Sequence, residues 1–161
     1  MTIAADIAPH LPYLRRFARA LSGTQAGGDA YVVATLEALV ADPSAFPRDV
    51  PPRVALYRIF LKLWSSVPVN GKTEGAAANP PGAVERNLGA LTPRPRQAFL
   101  LRTVEGFALA DVARVLDVPE SEAVALIDQA GREIAEQVAT EVLIIEDEPI
   151  IALDIETLVN E

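Results

Sequence analysis

The chain has 161 residues, half of them hydrophobic, with 14 basic and 22 acidic side chains and a net charge of −8, enough apolar material to bury a core in one ordinary domain or two small ones. With no cysteine and a single histidine, His10, it excludes disulfides, thiolate zinc sites, thiol nucleophiles, Ser-His triads and multi-histidine metal sites. No basic-then-apolar leader opens it and no run approaches the roughly 18–20 apolar residues of a membrane span, so a cytoplasmic protein without membrane attachment is expected.

The first helical pattern starts after Pro9 or Pro12, carries Leu11, Leu14, Phe17, Ala18 and Leu21 at spacings of three and four, and stops near Ser22 and Gly23. A second runs from about Asp29, a suitable N-cap, through Tyr31, Val32, Leu36, Leu39 and Val40, all read as core-building. Pro43, Pro47, Pro51 and Pro52 make the next stretch a loop, because proline lacks a donor and disfavours helix at the residue before it. A third helix over 53–66 bears Val54, Leu56, Tyr57, Phe60, Leu61, Leu63 and Trp64 around much of its circumference and is expected to be the most buried of a first bundle.

Residues 67–82 have linker chemistry, with Pro68, Asn70, Gly71, Gly75, Asn79, Pro80, Pro81 and Gly82 and no hydrophobic period. Gly71-Lys72-Thr73 has the ending of a phosphate-binding loop, but Ser66 stands where the earlier glycine belongs and no strand precedes it. Beyond the linker, helices are predicted over 83–90, 93–105, 109–116 and 119–138, the last two joined by a tight turn at Asp117 and Val118. Thr92 is a natural N-cap with Pro93 at the first helical position. Ala113, Leu116, Val118, Ala123, Ile127 and Ala130 form a seam that packs two helices steeply, as in a helix-turn-helix.

Charge is unevenly placed: residues 1–80 carry +2, residues 81–140 carry −3, and residues 141–161 carry −7 with no base. From Asp117 to Glu141 seven acids face the single Arg132, so a helix from this stretch docked in a major groove would meet phosphates with repulsion. The terminal segment is an apolar run, Val142 to Ile145, then Glu146, Asp147, Glu148 and Pro149, then Ile150, Ile151, Leu153, Ile155, Leu158 and Val159 at helical spacing. It reads as a short strand, an acidic cluster and an amphipathic helix.

Together the two bundles, about residues 9–138, resemble the two conserved domains of extracytoplasmic-function sigma factors. Leu56-Tyr57-Arg58-Ile59 looks like a run of that family's first domain, and Leu91-Thr92-Pro93 through Arg102, followed by Glu105-Gly106-Phe107, looks like the approach to its helix-turn-helix. Where that family carries a glutamine-glutamate pair this chain has Val32 and Val33, and where its recognition helix offers bases this chain has Val124, Leu126, Asp128, Gln129 and Gly131. Val32, Val33, Leu36, Val124, Leu126 and Asp128 are therefore the candidate partner-binding residues, apolar positions flanked by acids. The competing reading of these aliphatics is ordinary core.

The last 21 residues resemble the opening of a response-regulator receiver domain. The resemblance implies that Glu146 and Asp147 belong to a Mg²⁺ site, which suits a hard, oxygen-loving cation. It also implies that the chain stops just inside the receiver, before the phosphoacceptor aspartate.

The expected fold is mainly α: a sigma-2-like bundle over 1–66, a linker over 67–82, a sigma-4-like helix-turn-helix over 83–140, and over 141–161 the first strand and helix of a truncated α/β receiver. A sigma-like part joined to a receiver resembles the PhyR class of general stress response regulators. That resemblance implies an anti-sigma factor antagonist that is not an enzyme and whose partner is a NepR-type anti-sigma factor. It further implies a histidine kinase or phosphotransfer partner for the complete receiver, and no specific DNA binding. The alternative is a DNA-binding sigma factor or response-regulator transcription factor, kept open by Arg15, Arg16, Arg19, Arg94, Arg96 and Arg102. Catalysis by the acidic cluster is disfavoured, because no His, Lys or Arg lies near it in sequence.

Overall fold

A computed structural model describes residues 3–66 and 91–138, and among these every regular element is a helix. They are α1 (Ile3–Ile7), α2 (Leu11–Ser22), α3 (Gln25–Ala41), α4 (Pro52–Ser66), α5 (Pro93–Thr103), α6 (Leu109–Leu116) and α7 (Glu120–Val138), with 3-10 turns at Ala8–His10 and Pro43–Ala45. The expected linker over 67–82, the helix over 83–90 and the receiver-like strand and helix over 141–161, with Glu146 and Asp147, lie outside the described residues.

α2 ends where Gly23 adopts φ 74° and returns its N–H to the Arg19 carbonyl, a left-handed cap that glycine takes without a Cβ clash. α3 follows at once, capped by the Thr24 hydroxyl oxygen, which accepts from the Gly27 N–H at 3.1 Å. Its start is four residues earlier than Asp29. That aspartate is not the cap: its carboxylate accepts bidentate bonds from Arg19 at 2.8–3.1 Å and from Arg15 at 3.1–3.2 Å, tying α3 to α2. Gly28 makes the tight crossing possible, since a Cβ there would stand 2.6 Å from the Arg19 nitrogen.

α4 is the central helix of the first bundle, as its sequence demands, with Val54, Ala55, Leu56, Tyr57, Phe60, Leu61 and Trp64 buried. Phe17 meets Tyr57 and Phe60 at ring distances of 5.3 and 5.9 Å, and Tyr31 meets Trp64 at 4.4 Å. In the second segment α7 packs on α5 and α6, and the Asp117 turn has φ 57° and ψ 50°, a left-handed cap that Asp tolerates. The predicted seam holds: Ala113, Leu116, Ala123 and Ala130 are buried, with Val118 and Ile127 partly so. Thr92 occupies the N-cap position of α5 without capping it. Its N–H and hydroxyl both donate to the Glu133 carboxylate of α7, each at 2.8 Å.

The two segments are not beads on a string. α5 packs on α2, α6 packs on α4, and one cluster of buried apolar side chains runs from Ile7 through Phe60 to Val112 and Ala123.

Candidate functional site

α7 is the second helix of the helix-turn-helix pair α6–α7, and its outward side chains decide what it can touch. Glu120, Glu122, Asp128 and Glu136 are exposed on it, Asp117 is exposed in the turn before it, and Arg132 is its one exposed base among the described residues. Between these acids Val124 lies 39% exposed, whereas Leu126 is partly buried against the core. Glu133 holds its carboxyl below the ordinary range because it accepts from the Thr92 N–H and hydroxyl and from Gln129, so it too is ionised at neutral pH. A surface of aliphatics and carboxylates repels a phosphate backbone and suits a polypeptide.

On α3 the candidates divide. Val32 is 4% exposed and belongs to the first bundle's core, which corrects its assignment as a partner-facing residue: its Cβ points between α2 and α4 because Thr35 and Leu39 share its buried face. Val33, one position on, is 53% exposed, and Leu36 is half-buried beside it. Val40, read as core from the sequence, is instead 81% exposed, since i, i+3 and i+7 carry Val33, Leu36 and Val40 onto one outward face. The helix is apolar on nearly every side, so its pattern alone does not say which side is covered. α3 rests on α2 and α4 while α7 rests on α5 and α6, so the candidates form two patches presented by the two bundles.

The arginines that would favour a DNA reader all have partners inside the molecule. Arg15 and Arg19 bind Asp29; Arg94 donates to the Leu116 carbonyl at 3.2 Å, Arg96 to the Ala20 carbonyl at 2.9 Å and Arg102 to the Phe107 carbonyl at 2.9 Å. Arg16 donates to Glu105 at 3.0–3.1 Å and to the Val104 carbonyl at 3.0 Å.

Glu105 is the hub that sequence reasoning missed. Only 5% exposed, it accepts from Arg16, from Arg53 at 3.3 Å and from the Tyr57 hydroxyl at 2.7 Å, while Arg53 also donates to its carbonyl at 2.6 Å. Arg53 lies over the Phe107 ring at 4.2 Å, and Phe107 meets Tyr57 at 5.0 Å. Burial, then the Glu105 carboxylate, pushes the Tyr57 phenol far up, so it stays a donor. The only sequence signal was the Glu105-Gly106-Phe107 motif. Its partners lie 48 to 89 residues away, beyond the reach of any local pattern.

Among the described residues no cluster of three or more His, Asp or Glu side chains is placed to hold a metal, and no helix is long and apolar enough to cross a membrane.

Residues 7–61 match the family model described as the Sigma2 domain of PhyR, and residues 88–137 match that of the sigma-like domain of the response regulator PhyR. The chain is 50% identical over 160 residues to the Phyllosphere-induced regulator PhyR of Methylorubrum extorquens, covering 99% of this chain and 59% of the relative. Its fold is similar to the anti-anti-sigma factor PhyR complexed with the anti-sigma factor NepR from Bartonella quintana, at 45% identity and TM-score 0.79 over 99% of this chain and 60% of that one. It is also similar to the PhyRSL–NepR complex from Sphingomonas sp. Fr1, at 41% identity and TM-score 0.71, over 92% of this chain and 97% of that one. The chain thus spans about three fifths of the length of the first two relatives.

Proposed function

The chain belongs to the PhyR family, and from that premise we propose that it is the sigma-like part of an anti-sigma factor antagonist, which sequesters a NepR-type anti-sigma factor by mimicry and so frees the true sigma factor in a general stress response. Binding is its chemistry, and it is not an enzyme. The observation that carries the reading is the exterior of α7, aliphatic and acidic where a promoter reader is basic, together with the internal engagement of Arg15, Arg16, Arg19, Arg96 and Arg102. A fold kept while its nucleic-acid chemistry is removed presents a protein-binding shape without competing for DNA. Val33 and Leu36 on α3, with Val124, Leu126 and Asp128 on α7, are the proposed contact residues. A partner touching both patches must cross both bundles, and such wrapping buries on the order of 2,000 Å², within the range of signalling assemblies.

The proposed division is a sigma-2-like part over 1–66, a linker over 67–82, a sigma-4-like part over 83–140 and the start of a receiver over 141–161. In the complete receiver, phosphorylated by a histidine kinase or phosphotransfer partner, Glu146 and Asp147 would supply carboxylate oxygens to a Mg²⁺ ion that neutralises phosphoryl charge. The whole acts in the cytoplasm.

The test is a pair of titrations. Calorimetry against the NepR-type protein of the same organism should give a saturable complex, while promoter DNA at low salt should give no specific binding. Specific DNA affinity that falls steeply as salt rises would favour the transcription-factor alternative instead.

A further inference from the structure

We propose that a basic cleft between the two bundles seats an acidic side chain of the captured anti-sigma factor. The inference rests on the function proposed above and adds the recognition chemistry at a place where neither bundle alone forms a site. On α4, Arg58, Leu61, Lys62 and Ser65 recur at helical spacing along one face. Across a cleft of about 290 Å³ they look onto Arg94 and Gln97 of α5 and onto the Leu116–Asp117 turn.

Charge and unmet hydrogen-bonding capacity both select an anion. Arg58, Lys62 and Arg94 stand against one carboxylate, Asp117, which Arg58 already holds at 2.7 Å. Arg94 directs a single N–H at the Leu116 carbonyl, leaving the rest of its guanidinium for a guest, and Lys62 has no ion-pair partner among the described residues. Gln97 lines the same cleft at 7% exposure, and its side-chain amide has no hydrogen-bond partner among the described residues. Gln97 lines the cleft, so the N–H donors of its amide can serve an acceptor that enters there. A carboxylate between Lys62 and Arg94, with the Gln97 amide as third donor, meets all three. Asp49 and Glu120 line a neighbouring hollow on the far side of the Arg58–Asp117 pair. The exterior of α7 is acidic, so this basic cleft, lined by residues of both bundles, is the place that draws in a partner's carboxylate.

The test uses calorimetry of the full chain with its NepR-type partner. Lys62 is exposed, so Lys62→Glu should fold with an unchanged melting temperature yet weaken capture about tenfold or more, the scale of a lost charged hydrogen bond. One Asp→Lys or Glu→Lys replacement in the partner should restore binding to the Lys62→Glu chain while weakening binding to the unaltered chain. Gln97→Leu should weaken capture several-fold. Capture indifferent to Lys62→Glu, or tightened by it, overturns the cleft as an anchor and leaves the antagonist reading standing. Failure of the unaltered chain to bind any NepR-type protein overturns both.

Discussion

Glu105 shows how one carboxylate can carry the joint between two bundles. Its side chain is fully buried, and Arg16, Arg53 and Tyr57, all from the first bundle, converge on it. A buried charge held by several donors is strongly destabilised when one partner is removed, because the rest are left uncompensated. Glu105→Ala should therefore cost about 3–5 kcal/mol in urea unfolding. Tyr57→Phe, which deletes one hydroxyl donating to a charged acceptor, should cost about 1.5–3 kcal/mol. The double variant should be less destabilised than the sum of the two, since both act through one network. Strict additivity would show that the hydroxyl and the carboxylate act independently.

At the scale of elements, α3 and α7 are where reading the sequence and reading the structure part. Helix α3 is apolar all round, and adjacent valines have opposite fates: Val32 faces the core and Val33 faces solvent. Lysine at each separates burial from recognition. Val32→Lys should unfold or severely destabilise the first bundle, because an unpaired ammonium would sit among Thr35, Leu39 and their neighbours. Val33→Lys and Val124→Lys should each stay within about 0.5 kcal/mol of the parent in stability, as exposed substitutions do, while weakening capture of the NepR-type protein. Circular dichroism melts and calorimetry on the three variants check this. Loss of fold in Val33→Lys, or full capture by both exposed variants, would contradict the assignment of these faces.

At the scale of the whole molecule, Asp29 and Glu133 are more acidic folded than unfolded, which fixes the direction of their contribution to its pH response. Hydrogen bonds from Arg19 and then Arg15 hold the Asp29 carboxyl well below the usual range, and bonds from Thr92 and Gln129 lower Glu133. A depressed carboxylate binds fewer protons in the folded state than in the unfolded one. Its contribution is therefore fully present above the ordinary carboxylate values of about 4, and it is lost as pH falls below them. Melting temperature should fall on acidification below about pH 4. The stability gap between the unaltered chain and Asp29→Asn should be largest near neutrality and close in acid. A gap that persists undiminished in strong acid would remove Asp29 from the acid response.

Most of the elements were legible in the sequence because hydrophobic spacing, proline and glycine act locally. Leu14, Phe17 and Leu21 marked α2, the proline run marked the loop before α4, and the Ala113–Ala130 seam marked the helix-turn-helix. The acidic character of the α7 surface was equally readable, since exposed charge needs no partner to be counted. Only the tertiary structure decided which apolar side chains are free. Val32 and Val40 exchanged the places expected of them because the faces of α3 covered by α2 and α4 are set by packing and not by composition. The same holds for Glu105, the internal engagement of the five arginines and the Lys62–Arg94–Gln97 cleft. Each of these joins residues tens of positions apart, and hydrogen bonding and burial act on distance in space, which a one-dimensional pattern does not contain.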